Sequence, residues 1–195
     1  MAELKLYLLG TPRIEYQGRG VQLSRRKALA LAAFLALAEH PQSRDLLATL
    51  LWPDLDQVHA RSALRSTLPA LTNLVPLPWL DLDRMALALN REVVWVDVDR
   101  FRTLLAGSRS HGHNPEVVCE TCAQQLHQAL ALYRADFMTG FSLSDSAGFD
   151  DWQSQQRKWL SREQAGVLRR LSTYCAAQGQ VTEALDNTRR WLETD

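Results

Sequence analysis

The sequence predicts a mainly α-helical protein with small antiparallel β-sheets. Short segments of alternating apolar and polar residues, bounded by turn residues, mark strands before residue 24 and again between residues 79 and 98. Apolar residues recur at helical spacing between these regions and through most of the chain after residue 98. Of the 195 residues, 46% are hydrophobic and 23% charged, which is the composition of an ordinary globular protein.

The N-terminal segment predicts three short strands. Apolar and polar side chains alternate over residues 3–8 until Gly10 breaks the pattern. Further strands are expected at residues 13–16 and 21–23, separated by a turn that contains Gly18. These strands lead directly into the first helix.

The first helix is apolar on most sides and is therefore expected to be buried. Ser24 is its predicted N-cap, and it extends to about Glu39. Its first turn carries three adjacent cations, Arg25, Arg26 and Lys27, which the positive end of the helix dipole disfavours. An anionic partner such as DNA phosphate would account for them. A solvated run of charge is the alternative.

Residues 43–75 predict two amphipathic helices joined by a short turn. Ser43 caps the first helix, which begins at Arg44 and stops before Pro53. The outer face of the second helix carries short polar and basic side chains: His59, Arg61, Ser62, Arg65 and Ser66. This pattern is typical of a helix-turn-helix that places its second helix in the DNA major groove. An ordinary helical hairpin has the same apolar spacing.

Pro69 limits the second helix. Proline lacks a backbone donor and collides with the carbonyl of Arg65, at a cost of about 3 kcal/mol if the helix stays straight. We expect the helix to kink or end there, so that only its turns from about His59 to Ser66 face DNA. Such a short surface predicts modest affinity for each protomer and a need for tandem binding.

A β-hairpin is predicted after these helices. Residues 79–82 and 85–89 alternate on either side of a turn, and residues 93–98 form a further strand. Two helices followed by a hairpin is the order of a winged helix. Arg84 then lies at the wing tip, where a cation can enter the minor groove or contact a phosphate, although Asp81 and neighbouring acidic residues oppose this role.

The chain after residue 98 is predicted to be all helical. One helix ends at Gly107 and another begins at Pro115. Two more are expected at residues 150–178 and 182–194, and they resemble a repeat of the tetratricopeptide sort. Such repeats bury their faces against neighbours, so we expect the chain to be a fragment of a longer protein.

A possible metal site lies between two of these helices. His111, His113, Cys119 and Cys122 form H-x-H-x5-C-x2-C, which offers the number and type of ligands that structural zinc prefers. The alternative is cysteines packed as small apolar side chains and histidines on a mobile loop. No other cofactor is expected.

Composition and motifs exclude several classes of protein. Lys plus Arg and Asp plus Glu are both 22, so a DNA reader must concentrate its cations locally. No apolar run is long enough to span a bilayer, and three cysteines are too few for a disulfide framework, so a cytoplasmic location is expected. We find no nucleophile elbow, dinucleotide loop or open metal triad, and predict that the protein is not an enzyme.

The N-terminal strands and seven further segments together carry a family resemblance: RRKALALAAFLAL from Arg25, SRDLLATLLWPD from Ser43, ARSALRSTLPAL from Ala60, LALN from Leu87, VWVDVDRF from Val94, LYRADFMTGFSLSDS from Leu132 and DDWQSQQRKWL from Asp150. They resemble the SARP-type bacterial transcriptional regulators. The resemblance implies a winged helix-turn-helix DNA-binding domain at residues 1–97. It also implies a bacterial transcriptional activator domain of tetratricopeptide-like helices at residues 98–195.

The resemblance also implies a function. SARP-type regulators are activators that bind direct repeats at promoters, so double-stranded DNA and RNA polymerase are the expected partners, with a homodimer on DNA and association with the nucleoid. An ATPase module often follows, but no GxxxxGK occurs in this chain. The alternative is a protein-protein interaction module of a larger signalling ATPase, in which DNA reading has been weakened or lost.

Overall fold

The computed structural model describes residues 4–110, 112, 114 and 117–194. These residues form the predicted class of fold, mainly helical with two small sheets. The elements, in chain order, are β1 (Leu4–Tyr7), β2 (Arg13–Tyr16), β3 (Arg19–Val21), α1 (Arg26–Leu37), β4 (Gln42–Ser43), α2 (Arg44–Leu51), α3 (Gln57–Thr72), β5 (Leu80–Leu82), β6 (Ala86–Leu89), β7 (Val94–Val96), α4 (Asp97–Arg109), α5 (Glu120–Leu132), α6 (Ala147–Ala177) and α7 (Val181–Thr194).

The two sheets frame the helix-turn-helix. The first has the strand order β3-β2-β1-β7, in which β1 is antiparallel to β2 and parallel to β7. The second has the order β4-β6-β5, and all of its pairs are antiparallel. Because β4 leads straight into α2, this sheet ties the start of α2 to the hairpin formed by β5 and β6, which we call the wing.

Capping positions the helices of the N-terminal half. The Ser43 hydroxyl accepts a hydrogen bond from the Leu46 backbone N–H at 3.2 Å, as predicted. At the start of α1, however, Ser24 is not the N-cap. Arg25 occupies that position in an extended conformation, without a side-chain capping bond. Apolar burial therefore holds this helix, with Ala28, Leu31 and most of its length inaccessible to solvent.

Helix α3 continues through Pro69. It runs without interruption from Gln57 to Thr72, so the expectation that it ends at the proline is wrong. Leu64, Leu68 and Leu71 on its inner face are all buried. Their packing compensates for the lost backbone hydrogen bond, because proline in a helix interior costs about 3 kcal/mol and each buried leucine contributes roughly 1.5–3 kcal/mol.

Several predicted bounds shift by a few residues. The third strand occupies residues 19–21 instead of 21–23, and α4 ends at Arg109 instead of Gly107. Helix α5 begins at Glu120, while its predicted first residue, Pro115, lies outside the described residues. Among the described residues, no helix has both the length and the apolarity that crossing a membrane requires.

The helical C-terminal half packs closely on the N-terminal half. The Met138 N–H donates to the Leu8 carbonyl at 2.8 Å, and the buried Ser146 hydroxyl donates to the Leu51 carbonyl at 2.8 Å. The rings of Phe34 and Trp152 meet with centroids 4.9 Å apart. One continuous apolar core joins the halves, so the helix-turn-helix is held on a rigid support.

Candidate nucleic-acid interface

A cleft of about 210 Å³ lies between α2, α3 and the wing, and we call it the reading cleft. Its lining residues are Ser43, Arg44, Asp45, Arg61, Leu64, Arg65, Arg84 and Met85. Five of these are among the DNA-contacting residues predicted from the sequence. They come from the junction of β4 with α2, from α3 and from the wing. The β4–β6 pairing joins this junction to the wing, and α3 packs against α2.

Helix α3 presents its polar face to solvent. His59, Ser62 and Arg65 are exposed, whereas Ala60 and Leu64 between them are buried. This alternation follows the helical period, so one face packs on the core and the other is free to contact a ligand. The predicted orientation of the outer residues is therefore the one observed.

Arg61 is held by an acidic residue of α2. Its Nη2 donates to Asp45 Oδ2 at 2.5 Å and its Nε donates to Asp45 Oδ1, which gives a bidentate pair. Gln57 Nε2 donates to the same carboxylate at 2.8 Å. The hydrogen bonds from Arg61 lower the pKa of Asp45, so this carboxylate is ionised at neutral pH. The cation is locally neutralised.

The first turn of α3 is capped by Asp56. Its Oδ1 accepts hydrogen bonds from the backbone N–H groups of Val58 and His59, both at 3.0 Å. His59 Nδ1 lies 2.5 Å from the other carboxylate oxygen. The backbone hydrogen bond from His59 lowers the pKa of Asp56. His59 is thus oriented by the cap at the N-terminal end of the polar face of α3.

The wing is fastened to α2 by Arg44. Its Nε donates to the Asp83 carbonyl at 2.9 Å, and its backbone N–H donates to the Met85 carbonyl at 2.9 Å. Arg84 is exposed in the turn between these two residues. Within the described part of the chain, neither Arg65 nor Arg84 forms an ion pair, so these two arginines are available to an anion.

The three cations at the start of α1 have intramolecular partners. Arg25 Nη1 donates to the Ser66 carbonyl of α3 at 2.7 Å. Arg26 Nη2 donates to the Ser142 carbonyl at 2.6 Å. Lys27 Nζ lies 2.8 Å from Asp145 Oδ2, and this ion pair lowers the pKa of that carboxyl. Arg26 and Lys27 therefore join the two halves of the protein.

The predicted zinc ligands are only partly described. His111 and His113 lie outside the described residues. Cys122 is buried, its sulfur donates to the Ser108 carbonyl at 3.5 Å, and burial raises the pKa of its thiol. Cys119 is half-buried one turn away. The zinc assignment stays a prediction.

Local sequence patterns did not reveal a second group of side chains whose types can ligate a metal ion. His127, Cys175 and Glu183 bring ligand atoms within 4.8 Å of one another. They belong to α5, α6 and α7, so no local spacing in the sequence links them.

Comparison with solved structures shows a likeness over almost the whole chain. EmbR from Mycobacterium tuberculosis, solved in complex with a low-affinity phosphopeptide, matches with a TM-score of 0.62 at 18% sequence identity. The match covers 97% of this chain and 59% of the EmbR chain. A scan against protein-family models finds no match, and a search of curated proteins finds no significant one. The likeness supports a SARP-like fold, a winged helix followed by a helical part.

Proposed function

We propose that this protein is a transcriptional regulator that binds double-stranded DNA through its winged helix, with α3 in the major groove. The observation that carries the proposal is the reading cleft, where Arg44, Arg61, Arg65 and Arg84 come from three elements to one surface. Arginine binds both phosphates and the guanine edge, so this cluster suits DNA. The fold shared with EmbR, a SARP-family regulator, supports the same function.

The geometry suggests a role for each residue of the interface. Arg65 has an exposed side chain on α3 and is the best candidate for base reading, with His59, Ser62 and Ser66 as short-range partners. Ser43 and Arg44 lie at the N-terminus of α2, where the positive end of the helix dipole favours a phosphate. Arg84 extends the contact along the wing.

Arg61 should contribute less to DNA binding than its position on α3 suggests. Its bidentate pair with Asp45 must be broken or shared before it contacts DNA. Modest affinity for each protomer follows, and binding to tandem promoter repeats as a homodimer would compensate for it. Arg25 lies against α3 and can contribute to the phosphate contacts, whereas Arg26 and Lys27 contribute mainly to the junction between the halves.

The remaining parts of the proposal rest on the SARP-like fold. In it, residues 1–97 are the DNA-binding domain and residues 98–195 a tetratricopeptide-like activator domain that contacts RNA polymerase. The expected location is the bacterial cytoplasm, at the nucleoid when DNA is bound. No catalytic step and no required cofactor are part of this function.

A protein-protein interaction module is the second candidate function. Two large apolar side chains are exposed on α3 and the wing: Val58 is 75% exposed in the first turn of α3, and Met85 is 72% exposed in the wing. Exposed apolar side chains grouped near one surface are typical of protein-binding sites. These exposed side chains and the pairing of Arg61 with Asp45 are the observations that favour a protein partner over DNA.

A DNA titration separates the two functions. We expect the chain to bind DNA from its own promoter region with an affinity that falls as salt increases, because phosphate contacts release counterions. Arg65→Ala should weaken binding by roughly tenfold or more, since a good base contact contributes about 1–3 kcal/mol. Arg162→Ala, which removes an exposed arginine from α6, is the matched control and should leave binding unchanged.

DNA binding and the interaction module predict different results in this titration. Binding that is absent at low salt, or equal for Arg65→Ala and the unchanged protein, would overturn DNA reading by α3. If a pull-down then captures RNA polymerase subunits or an ATPase domain through Val58 and Met85, the interaction module is supported instead.

A further inference from the structure

Three helices of the C-terminal half converge on one group of metal-binding side chains. His127 lies on α5, Cys175 near the C-terminal end of α6, and Glu183 in the first turn of α7. The imidazole nitrogen, thiol sulfur and carboxylate oxygen that they offer all lie within 4.8 Å of one another. None of these residues lines the reading cleft.

The distance between the histidine nitrogen and the glutamate oxygen matches a metal site better than a direct hydrogen bond. His127 Nε2 and Glu183 Oε1 lie 3.6 Å apart, beyond the usual 2.7–3.2 Å of an N–H···O bond. A tetrahedral zinc with bonds of about 2.0–2.3 Å separates its ligand atoms by roughly 3.3–3.8 Å. One ion between the two side chains would therefore need only small rotations.

The cysteine of this group is buried, whereas the histidine and the glutamate are open to solvent. Cys175 is completely buried, whereas the side chains of His127 and Glu183 are 43% and 47% exposed. A metal can thus enter from solvent between the histidine and the glutamate and reach the sulfur below them. The open side leaves room for a water molecule as fourth ligand.

We propose that His127, Cys175 and Glu183 form a site for a divalent metal ion of the zinc class. One sulfur, one nitrogen and one oxygen ligand suit zinc and its borderline neighbours, whereas calcium and magnesium prefer oxygen ligands alone. Binding converts the Cys175 thiol to a thiolate and releases its proton to solvent. Burial and the adjacent Glu183 carboxylate raise the pKa of this thiol, so a metal ion must displace a tightly held proton.

The metal would fasten the last helical pair to the rest of the protein. Helices α6 and α7 are joined by a tight turn in which Gly179 has a φ of +74°. An ion held at this turn from both helices, and from α5 as well, would fix the angle of α7. We expect a structural role, because the three ligands come from three separate helices and one ion would hold these helices together.

Cobalt titration of the purified chain in reducing buffer tests the site. The wild-type protein should bind one Co²⁺ with a sulfur-to-metal charge-transfer band, and Zn²⁺ should displace it. His127→Gln and Glu183→Gln should each weaken binding at least tenfold. Both positions are half-exposed, so these variants keep the fold, and circular dichroism checks this. His40→Gln, at an exposed loop position, is the matched control and should bind like the wild type.

A second set of variants separates this site from the Cys119 and Cys122 pair. Cys175→Ser should abolish the charge-transfer band, whereas the double variant Cys119→Ser/Cys122→Ser should retain it. If Cys175→Ser retains the band and the double variant loses it, the metal is bound by Cys119 and Cys122, and the proposal is overturned. Absence of any charge-transfer band in the wild type, or no rise in Tm with Zn²⁺, would overturn it as well. None of these outcomes depends on whether the protein binds DNA.

Discussion

Both carboxylate oxygens of Asp45 on α2 accept hydrogen bonds from the guanidinium of Arg61 on α3. The pair lies in the reading cleft, where the same arginine would have to meet DNA. A phosphate approaching Arg61 must therefore compete with a carboxylate that is already in place and carries the same sign of charge as the phosphate. Asp45 would therefore weaken DNA binding through Arg61. It lies on α2, the helix that packs against α3.

Asp45→Asn should strengthen DNA binding. The substitution releases Arg61 and removes a negative charge from the cleft, so we expect roughly a three- to tenfold gain in affinity at low salt. The salt dependence should become steeper by about one counterion, because one more cation contacts phosphate. Fluorescence anisotropy of labelled promoter DNA over a salt series measures both quantities.

The control for this prediction removes the same charge without releasing an arginine. Asp54 is exposed in the turn between α2 and α3. Asp54→Asn should leave the salt slope unchanged and raise affinity less. Equal gains from the two variants would show that net charge, and not the Asp45–Arg61 pair, limits binding.

Local patterns predicted much of the winged helix. The Ser43 cap and the polar face of α3 follow from residues close together in the chain, so spacing alone reveals them. The hairpin at residues 80–89 follows for the same reason. Contacts between distant residues could not be predicted. Asp45 and Arg61 meet because α2 packs on α3, and the pairing of β4 with β6 joins segments about 44 residues apart.

Tertiary packing also explains why the predicted end of α3 at Pro69 is wrong. Proline disfavours a helix interior, but α3 carries Pro69 as far as Thr72. The buried leucines on both sides of the proline supply a stabilisation that propensity does not include. The histidine, cysteine and glutamate of the proposed metal site were missed for a similar reason, since three separate helices supply them.

Pro69→Ala should stabilise the protein. Helix α3 already continues through this exposed position, so alanine restores a backbone donor toward the Arg65 carbonyl without needing new space. We expect a gain of about 1–3 kcal/mol in the free energy of unfolding, since proline costs about 3 kcal/mol in a helix interior and also restrains the unfolded chain. Urea unfolding measures the change. Pro76→Ala, outside the helix, should give no gain, and an equal effect at both sites would contradict this explanation.

Lys27→Met should distinguish a junction residue from a DNA contact. The Lys27 side chain is only 17% exposed, pairs with Asp145 and lies 5.0 Å from the centre of the Trp52 ring. Methionine keeps the packing on the ring but removes the charge. We expect a loss of less than about 1 kcal/mol in stability, because Asp145 is largely exposed, and DNA affinity within twofold of the wild type. A loss of DNA affinity as large as that of Arg65→Ala would place Lys27 at the DNA.

The buried Asp97 joins the start of α4 to the end of β1. Its two carboxylate oxygens accept hydrogen bonds from the backbone N–H groups of Leu8 and Leu9, all at 2.9 Å, and Arg134 Nη2 lies 3.8 Å away. Burial nevertheless raises the pKa of Asp97 from 3.8 to about 6, because desolvation outweighs the favourable hydrogen bonds. The folded protein therefore binds this proton more tightly than the unfolded chain does.

The raised pKa of Asp97 makes the stability of the protein depend on pH. A raised pKa in the folded state stabilises the protein fully below pH 3.8, and that contribution is lost as pH rises through about 6. A shift of this size corresponds to about 3 kcal/mol. Asp97→Asn removes the titration, so the difference in unfolding free energy between wild type and variant should shrink by most of that amount from pH 4 to pH 7. Asp151→Asn, at an exposed carboxylate on α6, should leave a constant difference. If the Asp97→Asn difference is also constant, the carboxyl is ionised throughout and the hydrogen bonds from Leu8 and Leu9 dominate its pKa.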